Sequence, residues 1–525
     1  MKDRIVKVKQ GLLRGNFGSD PRVKVFRGIP YAEAPVGELR WRPPQEKRPW
    51  EGIRDALLYG PIAMQRRNGA KDLWSKEMHP AGTEFQMSED CLYLNVYTPA
   101  KTGNEGLPVL VYIHGGAFTV GYPFEQEVDF EHIASRGIVA VGITFRLGVF
   151  GFFAHPDLQK EDPKEAKGNY GLMDIAFALH WIQENIAEFG GNPDEITLAG
   201  HSAGASAVQM ILYGDAGRYV NRAIIQSSFS MCFADTGSQM HHISEAEEIC
   251  EKLFYKAGIR NLQEARRMPA EMLMKKTDLL GKGLHFWPVV DGKLLEEDSS
   301  LALIHGKWPR IPILAGFSSR EAAQELPDGN LPKTAADFLR YSESFQEDRL
   351  RFLTTSGVRS VQDIKALFER EAYDKTRMSS IFGAKVASGF GQKVFLYDFD
   401  ADFPGDYDRI AYHGAELWFA FDALARSQRP FTGEHYDLAR IISSYWTNFI
   451  VSGDPNGLDQ NGDELPEWNA FDEKKPTIMH FEKDAEEEPL MIDELMKFRM
   501  EYSLKAFSEW EEKGRTIEYA RYNAV

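Results

Sequence analysis

The 525-residue chain has only three cysteines, Cys91, Cys232 and Cys250. An odd number without a repeated spacing is not a disulfide framework, and with no CxxC and no Cys/His cluster no metal-ligand set is legible. Positive charge is also short. Lys and Arg number 61 against 78 Asp and Glu, for a formal net charge of −17. That balance argues against the basic face that nucleic-acid binding needs, and against attraction to anionic lipid. It reads as a solubilising acidic surface, with a weaker secondary effect of drawing in cationic or neutral substrates. Long apolar runs are missing too: no stretch reaches the ~18 residues of a membrane span. Residues Met1 to Gly11 carry neither an apolar h-region nor a small-residue cleavage site. The expectation is a cytoplasmic protein with no cofactor, no metal, no nucleic-acid partner and no membrane anchor. Its oligomeric state is not legible.

What is present is the balance of a globular protein: 43% hydrophobic and 26% charged residues. A chain this long can bury most of its apolar surface without disulfide staples. Domains usually run to ~100–200 residues, so two domains or one large one are both compatible with the length. The reading adopted is a single domain over 1–525, with insertions around 235–285 and 328–392.

The first thirty residues alternate, as in Ile5 to Val8 and Val23 to Phe26, with glycines between, and read as short hairpin strands. Residues 66–88 form a polar loop around Trp74. Leu107 to Ile113 and Ile138 to Phe145 are continuous apolar runs, the pattern of strands covered on both faces. Between Gly171 and Phe189, apolar residues at Leu172, Ile175, Ala176, Leu179, Ile182 and Ile186 have helical spacing. Gly190 to Pro193 stops that helix, and a strand from Ile196 to Ala199 follows. Ala223 to Gln226, Ile311 to Ala315, Val394 to Phe399 and Thr477 to Phe481 are further strands. Strand–helix alternation predicts an α/β fold with a mostly parallel central sheet. The two insertions read as a helical cap over the sheet edge. Ile492 to Glu512 reads as an amphipathic helix packed on the sheet, and Glu486 to Glu488 as a solvated loop.

The sharpest chemical signal is Gly200-His201-Ser202-Ala203-Gly204, a G-x-S-x-G between a strand and a helix-forming segment, Ala203 to Leu212. A sharp strand-to-helix turn lifts a serine hydroxyl out of the sheet, and glycines allow that tight packing. The amino end of the following helix faces developing negative charge. His114-Gly115-Gly116-Ala117 closes the apolar strand. Its glycine N–H groups, with that of Ala203, can serve as preorganised oxyanion donors: Gly115, Gly116 and Ala203. His114 reads as structural, because it precedes the serine. A serine at its ordinary pKa needs a base. In a hydrolase of this type the order is Ser, then Asp or Glu, then His. After Ser202, His241, His242, His285, His305, His413, His435 and His480 all remain open on residue type alone.

Several segments in order resemble the type-B carboxylesterases and cholinesterases. They are Gly28 to Ala32 with Arg42-Pro43-Pro44, Glu89 to Val96, Phe145 to Phe152, Gly168 to Asp174, and Asn185 through Pro193 into the serine turn. The matched stretch runs from about residue 26 to 228 and recurs near 316 and 413. The resemblance implies an α/β-hydrolase fold. It also implies a serine esterase acting on a small-molecule ester, and it selects the partners of Ser202. Gly316 to Ala322 is similar to the family's acid segment at Gly316 and Glu321, and His413 to Glu416 to its H-x-x-E segment. The implied triad is Ser202, Glu321 and His413, with activity expected to fall as pH drops through ~6–7, the ordinary histidine range.

The sequence departs from the family in three places. His201 stands where the family usually has Glu, and Ala205 where it has glycine. The half-cystine partner of the Cys91 position is missing from Gly60 to Gln65, which implies that Cys91 is a buried free thiol. Glu89 and Arg146 look like the family's structural ion pair. A lipase-like or narrow-specificity esterase remains a rival reading, as does a non-catalytic binding protein of the cholinesterase-like family.

Overall fold

The computed structural model describes residues 4–66, 76–77, 85–229, 240–281, 285–321, 332–405 and 409–513. Trp74, Cys232 and Ala322 lie outside them. Residues Ile5–Val8 and Gly11–Arg14 pair as the expected amino-terminal hairpin.

The centre is an eleven-stranded sheet. In chain order its strands are β1 (Asn16–Phe17), β2 (Lys24–Pro30), β3 (Tyr93–Thr98), β4 (Leu107–Ile113), β5 (Val139–Ile143) and β6 (Gly191–His201). They continue with β7 (Arg222–Gln226), β8 (Ile313–Ser318), β9 (Val394–Phe399), β10 (Thr477–Phe481) and β11 (Ala485–Pro489). Their spatial order is β11-β10-β9-β8-β7-β6-β4-β5-β3-β2-β1. The run from β10 through β5 is parallel throughout, and the strands outside it pair antiparallel. The fold is thus the mostly parallel α/β sheet that the strand–helix alternation predicts, in the α/β-hydrolase arrangement that the resemblance implies.

Strand β4 shows why the central strands read as unbroken apolar runs. Val109, Val111 and Ile113 join one buried cluster, while Leu110 and Tyr112 join another. Successive side chains of a strand face opposite ways, so a strand covered on both faces must be apolar at every position. The covering helices include α1 (Tyr170–Asn185), α2 (Ala203–Tyr213) and α9 (Gly433–Ser452). Residues 235–285, where described, hold a short strand, His241–His242, and the helices α3 (Ile243–Ala257), α4 (Leu262–Arg267) and α5 (Ala270–Lys276), and residues 328–392 hold α6 (Ala335–Ser342), α7 (Arg349–Thr355) and α8 (Val361–Gly389). Among the described residues no helix is long and apolar enough to cross a membrane.

Two expectations are corrected, and the packing of the last helix is extended. Glu486 to Glu488 are not a loop but lie in β11, an edge strand paired with β10. Charged side chains suit such an edge, because they discourage pairing with another chain. The last helix, α10 (Glu494–Lys513), packs on α7 and α8, where Leu495 and Phe498 join Phe345, Phe352 and Phe368. Met496 and Met500 of the same helix join the large buried cluster that also holds Val109, Val111 and Ile113 of β4. Glu89 does not pair with Arg146. It meets Arg40 (2.6 Å), while Arg146 forms a buried two-pronged bond with Asp174 (2.6 and 2.7 Å).

Candidate active site

Ser202 sits between the end of β6 and the start of α2, with φ 54° and ψ −124°. That backbone region is sparsely populated for a residue with a side chain and persists only when the surroundings over-determine it. Here they do. The Ser202 N–H donates to the Gln226 carbonyl (2.9 Å), and the Ser206 N–H donates to the Ser202 carbonyl (2.9 Å). Two residues on, a Cβ at Gly204 would lie 2.1 Å from the Ile113 carbonyl oxygen, so only glycine lets α2 start this close to β4.

The Gly115–Gly116 loop leaves β4 beside this turn. Gly116 has φ 104°, and a Cβ there would meet the Val120 carbonyl oxygen at 2.1 Å. Among the described residues the N–H groups of Gly115 and Gly116 donate no backbone hydrogen bond. Ala203 is the first residue of α2, and the N–H of a first helical residue has no partner within its own helix. His114 is fully buried: its Nδ1–H donates to the Gly115 carbonyl (2.8 Å), and its ring stacks on Phe145. Burial pushes its pKa down to about 4, which fits the structural role read for it.

Of the seven histidines left open, His413 reaches Ser202. Its Nε2 accepts from the Ser202 hydroxyl (2.8 Å), and its Nδ1–H donates to Glu321 Oε2. Among the described contacts five of the others lie elsewhere. His242 and His435 cap helices, His305 meets Glu297, His480 meets Asp398, and His285 stacks on Trp287. Glu321 follows β8 and is held by the Ser318 N–H at 2.8 Å. The structure therefore brings Ser202, His413 and Glu321 together in a chain, with the Gly115–Gly116 loop close by.

Two further groups complete the surroundings. Glu416 is fully buried and accepts from Ser318 Oγ (3.0 Å), Tyr397 OH (3.3 Å), Ser227 Oγ (3.4 Å) and Gln226 Nε2 (3.4 Å). Burial, and then the charge of Glu321, push its carboxyl up to about 7. The sequence carries Glu416 only as part of the H-x-x-E match. Its donors come from three separate strands and have no signature of their own. The second group is His201, whose ring lies 4.5 Å from that of His413.

Known proteins resemble this chain over most of its length. Residues 2–502 match the model of the Carboxylesterase family. The chain is 32% identical over 480 residues to the fumonisin B1 esterase of Sphingopyxis macrogoltabida, covering 88% of this chain and 84% of that protein. It is 28% identical over 517 residues to the liver carboxylesterase of Sus scrofa, covering 90% and 88%. Among solved structures it resembles the Geobacillus stearothermophilus carboxylesterase EST55, with TM-score 0.75, 30% identity, and 95% of this chain and 100% of that one covered. A pNB esterase gives TM-score 0.78 at 27% identity, covering 95% and 99%.

Proposed function

The chain belongs to the Carboxylesterase family and is a carboxylic ester hydrolase, and on that premise we propose that it works through an acyl-enzyme on Ser202, with His413 as general base and Glu321 as the orienting acid. The observation that carries this reading is the chain Ser202 Oγ to His413 Nε2 (2.8 Å), with Glu321 on the far nitrogen. His413 takes the hydroxyl proton as Ser202 attacks the ester carbonyl. Glu321 fixes the tautomer that leaves Nε2 free to accept, and it stabilises the cation that forms. The N–H groups of Gly115, Gly116 and Ala203 take the charge on the carbonyl oxygen. His413 then protonates the leaving alcohol, and water repeats the path on the acyl-enzyme. The scheme calls on no metal or cofactor.

The substrate is a small-molecule carboxylic ester. We read the chain as one domain, with the helices of residues 243–276 and 335–389 as insertions into it. A cytoplasmic location is supported by Cys91 and Cys250, which are both buried free thiols, as expected in a reducing compartment.

The test is hydrolysis of p-nitrophenyl esters of increasing acyl length by wild type beside Ser202→Ala. Turnover lost in the variant supports the reading, and the preferred chain length separates esterase from lipase. Equal turnover by both proteins removes Ser202 from the mechanism. No turnover by folded wild type points instead to a narrow substrate or a binding role.

A further inference from the structure

His201 is fully buried, and among the described residues neither ring nitrogen has a hydrogen-bond partner. An imidazole carries a donor and an acceptor, so such a residue costs free energy unless something is gained elsewhere. Its position leaves it little freedom. It ends β6, one residue before Ser202, and its ring lies 4.5 Å from that of His413 at an interplanar angle of 45°. The Gly115 backbone also closes on it: a Cβ built on Gly115 would lie 3.2 Å from His201 Nδ1 and 3.0 Å from the His201 carbonyl oxygen. The ring therefore packs close to both the base and the Gly115 backbone.

The titratable groups around His413 come from several elements. Glu321, after β8, holds its Nδ1–H. Glu416 lies three residues further on in the same turn, and its carboxyl is influenced by both Glu321 and His413. The Ser202 hydroxyl contributes no charge. Both carboxylates, when ionised, favour the imidazolium form of His413, which cannot accept the serine proton. His201 acts in the opposite sense. Burial, and then the proximity of His413, hold its own pKa well below the ordinary histidine range. A ring held in this way disfavours a charge of its own and offers no counter-charge to a cation on His413.

We propose that His201 is a positioning residue of the esterase reaction, an uncharged imidazole that seals one face of His413, disfavours the imidazolium, and keeps the base available at lower pH than its carboxylate neighbours would allow. The inference rests on His413 being the base, as set out above.

The experiment is the acid limb of the pH profile of kcat/KM, with a p-nitrophenyl ester, for wild type, His201→Gln and His201→Glu. Wild type is expected to lose activity with uptake of one proton. His201→Gln, neutral and of similar size, is expected to leave the midpoint in place. His201→Glu sets an opposite charge within reach of His413 and is expected to raise the midpoint by about one unit or more. A two-proton limb in wild type overturns the proposal, because His201 would then be titrating with His413. So does a His201→Glu limb that superimposes on wild type, or a His201→Gln limb that moves as far as the Glu one.

Should the Glu variant fail to fold, histidine-selective 15N NMR of the unmodified protein, assigned with His201→Gln, reads the ring directly. A His201 signal that stays neutral through the acid limb supports the proposal, and joint protonation of both rings overturns it. Ser202→Ala separates the two failures. If that variant keeps wild-type turnover, the triad reading itself fails. If it is inactive and the limb is insensitive to residue 201, only this inference fails.

Discussion

Glu321 and Glu416 share one residue between them: the Ser318 N–H donates to Glu321 Oε1 at 2.8 Å, and the Ser318 hydroxyl donates to Glu416 Oε2 at 3.0 Å. Two buried carboxylates this close do not both ionise freely, and Glu416 is the one pushed up, to about 7. An unfolded glutamate titrates near ~4.3. Between that value and about 7 the folded protein keeps a proton that the unfolded chain has lost, so stability falls as pH rises through this window. Glu416→Gln removes that dependence. Its Tm relative to wild type should improve from acid to mildly alkaline pH, by an amount equivalent to roughly 1–3 kcal/mol. A Tm difference that does not change with pH would show that Glu416 is ionised throughout.

Arg146 and Asp174 test how much burial matters to an ion pair. Their side chains are 3% and 0% exposed, whereas those of Arg14 and Asp55 are 45% and 50% exposed. Asp174→Ala leaves a guanidinium buried without its partner and should cost ~3–5 kcal/mol in urea unfolding. Asp55→Ala should cost far less, since exposed pairs are screened by water and salt. Equal costs for the two would contradict the burial argument.

The oxyanion assignment is tested at Gly116, where both the backbone angle (φ 104°) and the Val120 carbonyl leave no room for a side chain. Gly116→Ala must displace the loop that carries the donors. The fold-loss is expected in kcat, by about 10²-fold or more, with KM much less affected, because the donors act on charge that develops in the transition state. A variant that is folded and fully active would remove this loop from the chemistry.

Much of this was legible in the sequence because it is local. Leu107 to Ile113, Val394 to Phe399 and Thr477 to Phe481 coincide with strands β4, β9 and β10, and for β4 the reason is plain, since an apolar run leaves a doubly covered strand few alternatives. The serine turn was legible because the chain geometry that exposes Ser202 demands Gly204 at a fixed offset. Non-local pairing was not legible. Whether Arg146 meets Glu89 or Asp174 depends on where α1 lies, which no spacing encodes. Amphipathicity told that α10 has an apolar face, yet not that the face would meet α7 and α8. The acidic run in β11 hid a strand behind the composition of a loop. His413 stood out from the other histidines only through the family resemblance. Its contact with Ser202 spans 211 residues of chain.

The central claim is that Ser202 carries the acyl group. The most direct measurement is rapid acid quench during turnover of a slowly deacylating p-nitrophenyl ester, followed by peptide mass spectrometry. The account predicts the acyl mass on the peptide containing Ser202, appearing with a burst of p-nitrophenol and absent from Ser202→Ala. An acyl adduct on another residue, or turnover by Ser202→Ala at the wild-type rate, would contradict it.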